Sequence, residues 1–221
     1  MVAGVPAADI ERMGFQLALR RRGITDKAVL RAMDEVPREY FVESAFIDSA
    51  YADQALPIAC GQTISQPFVV AYMTEQLEVE PEHRVLEVGT GSGYQAAILA
   101  RLVRDVVSIE RYRTLADLAR ARIETLGYSN VTIVAGDGMA PVPEWEPFDR
   151  IIVTAAAEER PQALIDQLGA GGILIVPVGR DPTAQVVERI VKGESGLQRD
   201  TLMPVRFVPL VAGALPELGS G

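Results

Sequence analysis

The stretch from Val85 to Tyr94 constrains the fold more than any other part of the chain. Its sequence is VLEVGTGSGY, in which four mostly apolar residues precede glycines at every second position. A short apolar run bounded by glycines is typical of a buried parallel strand, and apolar residues at helical spacing follow over 95–103. The glycines therefore predict a turn from strand into helix, where bare backbone N–H groups and the positive end of a helix dipole can approach a ligand.

Two classes of cofactor are compatible with this turn. Counted from Glu87, the pattern E-x-G-x-G-x-G resembles motif I of the S-adenosylmethionine (SAM) methyltransferases. Counted from Gly91, the run GSGYQA satisfies the looser dinucleotide fingerprint, and Glu110 lies near the ~20-residue offset expected of the acid that binds the ribose. Glu87 favours SAM, because a carboxylate at the end of the strand can face the cationic amino group of a methionine moiety but would repel a pyrophosphate.

Length and composition exclude several functional classes. A chain of 221 residues suffices for one large α/β domain, and 48% hydrophobic with 23% charged residues is ordinary for a soluble globular protein. No apolar run reaches the roughly 18 residues of a membrane span, and the first residues lack the layout of a signal peptide. The net charge of −9 argues against nucleic acid as a partner. We therefore expect neither a membrane nor a nucleic acid as a partner.

Cysteine and histidine each occur once, as Cys60 and His83. One cysteine cannot form an intrachain disulfide, which favours a cytoplasmic location, and this inventory predicts neither a metal site nor a histidine-based triad. We expect Cys60 to be a small buried hydrophobe and His83 to be an exposed turn residue remote from any site.

The N-terminal part of the chain is predicted to be helical. Apolar residues at helical spacing predict a helix from Asp9 to near Gly23, with Met13 and Leu17 on its apolar face, and a second helix capped by Thr25 or Asp26. We interpret residues 1–60 as a helical cap that packs on the core, since it is too small to bury a core alone. After an ordered loop, Pro67 is placed to begin another helix, with Ser65 as a candidate N-cap.

The remaining residues alternate predicted strands and helices. This order predicts an α/β fold, a doubly wound and mostly parallel Rossmann-like methyltransferase sheet with an N-terminal helical cap, whose ligands lie at the C-terminal ends of the strands. The core is predicted to span residues 61–211, and 212–221 to form a loose tail. Strands are predicted over 85–88, 106–109, 131–134, 148–153, 173–178, 185–191 and 203–210.

Three carboxylates follow predicted strands at the edge where a nucleotide would lie. They are Glu87, Glu110 and Asp137. Glu110 can accept hydrogen bonds from both ribose hydroxyls, and Asp137 with Gly138 is placed to face an adenine amino group. Asp149 instead begins its strand, so we expect it to be a turn residue.

Beyond motif I, the chain resembles the protein-L-isoaspartate O-methyltransferase family over about residues 10–211. The loop GQTISQP at 61–67 is the most specific feature, because motif I is shared by many methyltransferases. The other resembling segments are 22–26, 36–38, 85–94, 108–111, 136–138, 148–156 and 206–210.

The resemblance implies repair of aged proteins. This family methylates the α-carboxylate of L-isoaspartyl residues, and the ester collapses to a succinimide that hydrolyses partly to normal aspartate. The implied cofactor is SAM, with S-adenosyl-L-homocysteine as product, and the implied partners are isoaspartyl proteins and peptides, bound by a monomer. The resemblance assigns Ser65 as catalytic, Thr63, Ile64 and Gln66 as substrate-binding, and Glu87, Gly89, Thr90, Gly91, Ser92, Gly93, Glu110, Arg111, Asp137, Gly138 and Thr154 as cofactor-binding.

The chemistry of such a transfer agrees with the scarcity of histidine. A free carboxylate, with a pKa of roughly 3.5–4, is already ionised at neutral pH and needs no general base. The protein mainly has to align the reacting atoms and exclude water, so Ser65 is predicted to position the substrate and not to act as a nucleophile. Three alternatives stay open: a relative that methylates a dedicated aspartate of one precursor peptide, an NAD-dependent oxidoreductase, and a SAM-binding module without turnover.

Overall fold

The computed structural model describes the backbone of residues 7–213 and the side chains of residues 12–213. Within these residues, a seven-stranded sheet is flanked by helices and accompanied by a separate two-stranded hairpin. No helix in the described part of the chain is long and apolar enough to cross a membrane. The tail predicted over 212–221 lies outside the described residues except for 212 and 213.

The N-terminal region consists of two α-helices and two 3₁₀ turns. Helix α1 is Ala7–Arg21 and helix α2 is Lys27–Glu35, and the 3₁₀ turns are Arg38–Phe41 and Ser44–Ser49. The Asp26 side chain accepts hydrogen bonds from the first free N–H groups of α2, which confirms one of the two predicted N-caps.

One prediction about α1 is wrong. Phe15 and Leu19 are buried as expected, but Met13 is 67% exposed and Leu17 is 47% exposed. Met13 and Leu17 are four residues apart and share one face of the helix, whereas Phe15 and Leu19 share another. The helix can turn only one of these faces to the core.

The segment predicted as an ordered loop between cap and core contains a short two-stranded hairpin. Strand β1, Leu56–Pro57, pairs antiparallel with β2, Thr63–Ile64, so residues 56–64 form a hairpin. Cys60 lies at its tip with φ of +57° and is exposed, so the expectation of a buried cysteine is wrong. Helix α3, Pro67–Gln76, follows, but its N-cap position is Gln66 and not Ser65.

The other helices and strands form the central sheet. Its topology confirms the predicted fold class. The elements are β3 (Arg84–Val88), α4 (Tyr94–Ala100), β4 (Asp105–Glu110), α5 (Arg113–Thr125), β5 (Val131–Ala135), β6 (Phe148–Val153), α6 (Gln162–Asp166), β7 (Leu168–Val178), β8 (Val186–Gly193) and β9 (Gly196–Pro204).

The order of strands in the sheet is β5-β4-β3-β6-β7-β8-β9. The five strands from β5 to β7 are parallel, and β8 and β9 join as antiparallel neighbours. From β3 the chain runs outward through β4 and β5 and then returns to place β6 on the other side of β3. The connections thus reverse direction at β3, and in open α/β sheets ligands bind in the crevice at such a point.

The prediction of a last strand over 203–210 is wrong. Strand β9 is Gly196–Pro204, an edge strand rich in polar residues. Its residues do not alternate between apolar and polar, so the sequence pattern does not predict a strand there. The following segment leaves the sheet and pairs with Ala156, whose N–H donates to the Val208 carbonyl at 2.8 Å and whose carbonyl accepts from the Leu210 N–H at 2.7 Å. This pairing carries the segment across the carboxyl edge of the sheet.

Two residues at the opposite edge also differ from expectation. Asp149 lies inside β6, and its Oδ2 accepts the N–H of Arg84 at 2.7 Å, so it is not a turn residue. His83 is in a turn as predicted, but its side chain is only 14% exposed, and its Nδ1 accepts the Glu80 N–H at 2.9 Å.

The N-terminal helices share one hydrophobic cluster with the central sheet and its helices. Phe41 of the cap contacts Tyr94 of α4 with ring centroids 5.4 Å apart. An ion pair between Glu35 at the end of α2 and Arg101 at the end of α4 adds a polar contact. The cap is therefore packed against α4, the helix that follows the glycine turn.

Candidate active site

A cavity opens at the carboxyl ends of β3, β4 and β6. Within the described residues, its walls come from seven places in the chain. They are residues 62–65, one face of α3, residues 87–92 and 94–95 around the glycine turn, the end of β4 at 109–112, Gly138, residues 154–155, and the segment 207–211. This is the edge at which the strand order predicts a ligand.

The glycine turn needs glycine for two separate reasons. Gly89, Gly91 and Gly93 have φ of +98°, +54° and +90°, a region that L side chains rarely adopt. A Cβ on Gly89 would lie 2.5 Å from the Thr154 hydroxyl oxygen. Gly89 and Gly91 line the cavity, whereas Gly93 packs against Ala119 of α5 and is not part of the cavity wall.

Glu87 is a fully buried carboxylate in the cavity wall. Its Oε2 accepts the Ser108 hydroxyl at 2.5 Å, and Ser108 also shares a hydrogen bond of 2.6 Å with the Thr90 hydroxyl. Its Oε1 has no hydrogen-bond partner among the described residues. Burial raises the pKa of Glu87 to about 8, the hydrogen bond from Ser108 opposes the rise, and the charge of Glu110 adds to it.

Glu110 presents a second carboxylate, held in place by backbone N–H groups. Its Oε2 accepts from Gly91 at 2.8 Å, and its Oε1 accepts from Tyr112 at 3.0 Å. Each oxygen keeps a further lone pair for a ligand hydroxyl. Arg111 also lines the cavity, and its buried Nε has no partner within the described residues.

The turn after β5 contributes one of its two predicted residues to the wall. Gly138 lines the cavity, and a Cβ there would lie 2.4 Å from Cγ1 of Val88. Asp137 is not part of the wall, and its Oδ1 accepts the Met139 N–H at 2.9 Å. The opposite wall includes Thr154, whose hydroxyl donates to the Gly89 carbonyl.

The segment 63–66, at the end of the hairpin, brings its predicted catalytic residue and two of its three predicted substrate-binding residues to the cavity. Thr63, Ile64 and Ser65 line it, and the Ser65 hydroxyl makes no hydrogen bond to any described residue. Gln66 does not line it, because its side chain turns away and donates to the Asp53 carbonyl at 2.9 Å. Thr90 and Ser92 also line the cavity, and the Ser92 hydroxyl accepts the Tyr94 N–H at 3.3 Å.

Residues 207–211 form a wall to which sequence reasoning assigned no role in the site. The buried Gln185 holds this segment, since its Oε1 accepts the Phe207 N–H at 2.6 Å and its Nε2 donates to the Phe207 carbonyl at 3.3 Å. Gln62 and Tyr112 line the cavity as well and were also missed. Their position in the sequence could have indicated them, because each is next to a predicted site residue, Thr63 or Arg111. Residues beside a predicted contact commonly share its surface.

The described residues contain no group of three or more histidine, cysteine, aspartate or glutamate side chains that could hold a metal ion. Chemically, the cavity offers a free hydroxyl of Ser65, an unpartnered carboxylate oxygen of Glu87 and the carboxylate of Glu110. Such a set can bind a ligand that carries both hydroxyl groups and a positive charge.

Comparison with known proteins identifies close relatives. The family model described as protein-L-isoaspartate(D-aspartate) O-methyltransferase (PCMT) matches residues 14–215. A protein-L-isoaspartate O-methyltransferase 2 of Rhodopseudomonas palustris strain HaA2 is 60% identical over 209 residues, which is 94% of this chain and 96% of the relative. A protein-L-isoaspartate O-methyltransferase of strain BisB18 is 61% identical over 208 residues, again 94% of this chain and 96% of the relative.

Solved structures agree with these relatives. One protein-L-isoaspartate O-methyltransferase superposes with a TM-score of 0.83 at 32% identity, over 92% of this chain and 67% of the other. A β-aspartate methyltransferase (PCMT) from Plasmodium falciparum, in complex with S-adenosyl-L-homocysteine, superposes with a TM-score of 0.79 at 30% identity, over 90% of this chain and 97% of the other.

Proposed function

Because this chain belongs to the protein-L-isoaspartate(D-aspartate) O-methyltransferase family, we propose that its cavity binds SAM against the glycine turn and presents the substrate from the hairpin 56–64. The enzyme uses SAM to methylate L-isoaspartyl residues of damaged proteins and peptides, the step that leads to their repair. One observation carries the assignment of the site. The unpartnered Oε1 of Glu87 and the free hydroxyl of Ser65 line the same cavity.

The cavity fits SAM in both shape and charge. Gly89 and Gly138 lie in the cavity wall, where a Cβ would collide with Thr154 or with Val88, so glycine lets the backbone itself form the surface that faces the ligand. The unpartnered oxygen of Glu87 suits the ammonium group of the methionine moiety, because a buried carboxylate oxygen without a donor is costly. We assign the ribose hydroxyls to Glu110 and the adenine to Gly138, with Asp137 holding the turn from outside the cavity wall through the Met139 N–H.

The other cofactor residues have supporting roles in this proposal. Thr90 and Ser92 border the methionine part of SAM. Arg111 borders the part of SAM that lies beyond the ribose contact at Glu110. Thr154 fixes Gly89, and Gly93 keeps the turn against α5, so both act through the shape of the turn.

The substrate needs alignment and not activation. Bound SAM supplies an electrophilic methyl group on a sulfonium. The isoaspartyl α-carboxylate is already ionised, so the hydroxyls of Ser65 and Thr63 only have to hold one oxygen while the other attacks. Ile64, which is 3% exposed, keeps water from this position. We place Gln66 behind the hairpin, where it fixes the hairpin to Asp53.

A methyl-transfer assay with paired peptides tests the function. The protein should form base-labile methyl esters on many unrelated isoaspartyl peptides and leave their aspartyl twins unmodified. Methylation of a single precursor sequence would instead favour the dedicated-aspartate alternative, which the comparisons do not support. Binding of NAD without binding of SAM would overturn the assignment of the cavity.

Replacement of Ser65 by alanine is expected to lower kcat for an isoaspartyl peptide by about tenfold, roughly the value of one hydrogen bond to a charged group. The Kd for S-adenosylhomocysteine should change less than threefold, since Ser65 belongs to the hairpin and not to the glycine turn. Steady-state kinetics and calorimetry measure the two quantities. Ser195→Ala, in the exposed turn between β8 and β9, serves as the control, and unchanged kcat in Ser65→Ala would remove Ser65 from the mechanism.

Affinity for S-adenosylhomocysteine is expected to rise with pH through about 8. Burial holds Glu87 protonated below that pH, whereas the ammonium of the ligand favours its ionised form, so binding at pH 7 should release close to one proton. The charge of Glu110 raises the pKa of Glu87 further and so acts in the same direction as burial. Calorimetry in buffers of different ionisation enthalpy measures the proton. Glu87→Gln should abolish the release, and a wild type that releases none would contradict the proposed ammonium contact.

We further propose a cytoplasmic monomer that needs neither a nucleic acid nor a membrane. One copy of the chain supplies every wall of the cavity, which supports the monomer, and sedimentation velocity measures it. We also propose that residues 1–60 are not an independent domain, because the cap shares its hydrophobic cluster with the core 61–211. Unfolding in a single transition would support a cap that depends on the core, and two separate transitions would contradict it.

A further inference from the structure

Arg38 is a buried cation that the proposed mechanism has not used. It lies in the 3₁₀ turn of the cap and is 0% exposed. No carboxylate of the described residues lies within ion-pair distance of it. Burial without a counter-ion lowers the pKa of its guanidinium and is costly, so such a group is retained where its position matters.

The hydrogen bonds of Arg38 join the cap to the substrate hairpin. Its Nε donates to the Ala50 carbonyl at 2.7 Å, and its Nη2 donates to the Ser65 carbonyl at 2.8 Å. Its buried Nη1 has no partner within the described part of the chain. Since no described residue hydrogen-bonds the Ser65 hydroxyl, the bond from Arg38 to the Ser65 carbonyl is the polar contact that fixes this residue.

The guanidinium also reaches the cofactor side of the cavity. Its central carbon lies 4.7 Å from the centroid of the Tyr94 ring, a distance at which a cation and an aromatic face attract. Tyr94 begins α4 directly after the glycine turn, is 1% exposed and lines the cavity. Arg38 thus contacts both the hairpin that carries Ser65 and the helix that follows the SAM turn.

We propose that Arg38 is a positioning residue that holds Ser65 in register with the bound methyl donor. The planar fork of an arginine can bond two carbonyls and stack on a ring at the same time, which the single nitrogen of a lysine cannot do. The buried positive charge, which directly contacts the Ser65 carbonyl, also favours the anionic substrate carboxylate at that place. This inference rests on the proposed role of Ser65 in the substrate site.

The test compares Arg38→Met, which keeps much of the volume, with Arg38→Lys, which keeps the charge. In Arg38→Met, kcat/KM for an isoaspartyl peptide should fall about 30-fold or more, while the Kd for S-adenosylhomocysteine changes less than threefold. Arg38→Lys should recover part of the loss. Hydrogen exchange of the segment 56–67 should become faster in Arg38→Met, with the central strands unchanged, because the hairpin loses its bond through Ser65.

Arg101→Met is the matched control, since Arg101 also joins the cap to α4, through Glu35, but does not contact the hairpin. It should keep wild-type kcat/KM. A folded Arg38→Met with kcat/KM within threefold of wild type would overturn the inference, as would an equal loss of cofactor affinity. If Arg38→Met does not fold, Arg38→Lys decides, because wild-type kcat/KM in that variant would overturn the proposal. Wild-type activity on the isoaspartyl peptide tests the proposed function separately.

Discussion

Alanine at Gly89 is expected to weaken binding of S-adenosylhomocysteine by about 100-fold, or roughly 2.7 kcal/mol, and to remove most turnover. Its φ of +98° is strained for any L side chain, and the new Cβ would lie 2.5 Å from the Thr154 hydroxyl oxygen. That hydroxyl donates to the Gly89 carbonyl, so the clash would disrupt the hydrogen bond that fixes the turn. Calorimetry with S-adenosylhomocysteine measures the loss of affinity, and a thermal melt shows whether the variant is folded.

Two further variants separate backbone strain from the clash at Gly89. Gly127→Ala at the end of α5 has a similar φ of +76° but open space around its Cβ, so it should lose about 1 kcal/mol of stability and no cofactor affinity. Adding Thr154→Ala to Gly89→Ala removes the clashing atom and should restore part of the affinity. Wild-type affinity in Gly89→Ala would show that the cofactor does not lie against this turn.

Alanine at Glu110 should lower affinity for S-adenosylhomocysteine by a comparable factor of about 100, because hydrogen bonds to a charged group contribute roughly 1.5–3 kcal/mol each. The substitution removes the acceptor for the N–H groups of Gly91 and Tyr112 and the proposed ribose contact together. Glu110→Gln is expected to be nearly as damaging, because both carboxylate oxygens accept an N–H and the amide nitrogen would have to face one of them. Calorimetry measures both variants.

A 2′-deoxyribose analogue of the ligand isolates the ribose contact at Glu110. The analogue should bind wild type less tightly than S-adenosylhomocysteine, and this difference should vanish in Glu110→Ala. Glu188→Ala is the control, since Glu188 is 6% exposed and bonded by Arg160 at 2.6 Å but lies outside the cavity wall. An undiminished difference in Glu110→Ala would assign the ribose to another residue.

The central strands and the glycine turn could be predicted because their signals are local. Residues 85–88 are buried on both faces of a parallel sheet, so they form a continuous apolar run, and the turn after them requires glycine. Glu87 and Glu110 could be placed at one edge because parallel strands end on the same side. The edge strand β9 could not be predicted, since its polar residues face water and carry no apolar period.

The details of the site depended on contacts between residues distant in the chain. Ser65 as an N-cap was a reasonable local prediction, but the N–H of Phe68 donates to Asp53 instead, at 3.0 Å. Asp137 follows its strand as predicted, yet its carboxylate bonds the Met139 N–H and lies outside the cavity wall. Nothing adjacent to Arg38 in the sequence indicates that it reaches the carbonyl of Ser65.

The amino-acid sequence by itself indicated the fold class and the position of the glycine turn, because periodicity and glycine placement act over a few residues, and its resemblance to a known family implied the activity and the cofactor. Only the tertiary structure decided which side chains share the cavity. It buried Glu87 with one oxygen unpartnered, carried residues 207–211 across the sheet edge, and placed Arg38 between the hairpin and Tyr94. Those outcomes follow from how separate elements compete for burial and hydrogen bonds in the folded chain, and no local pattern encodes that competition.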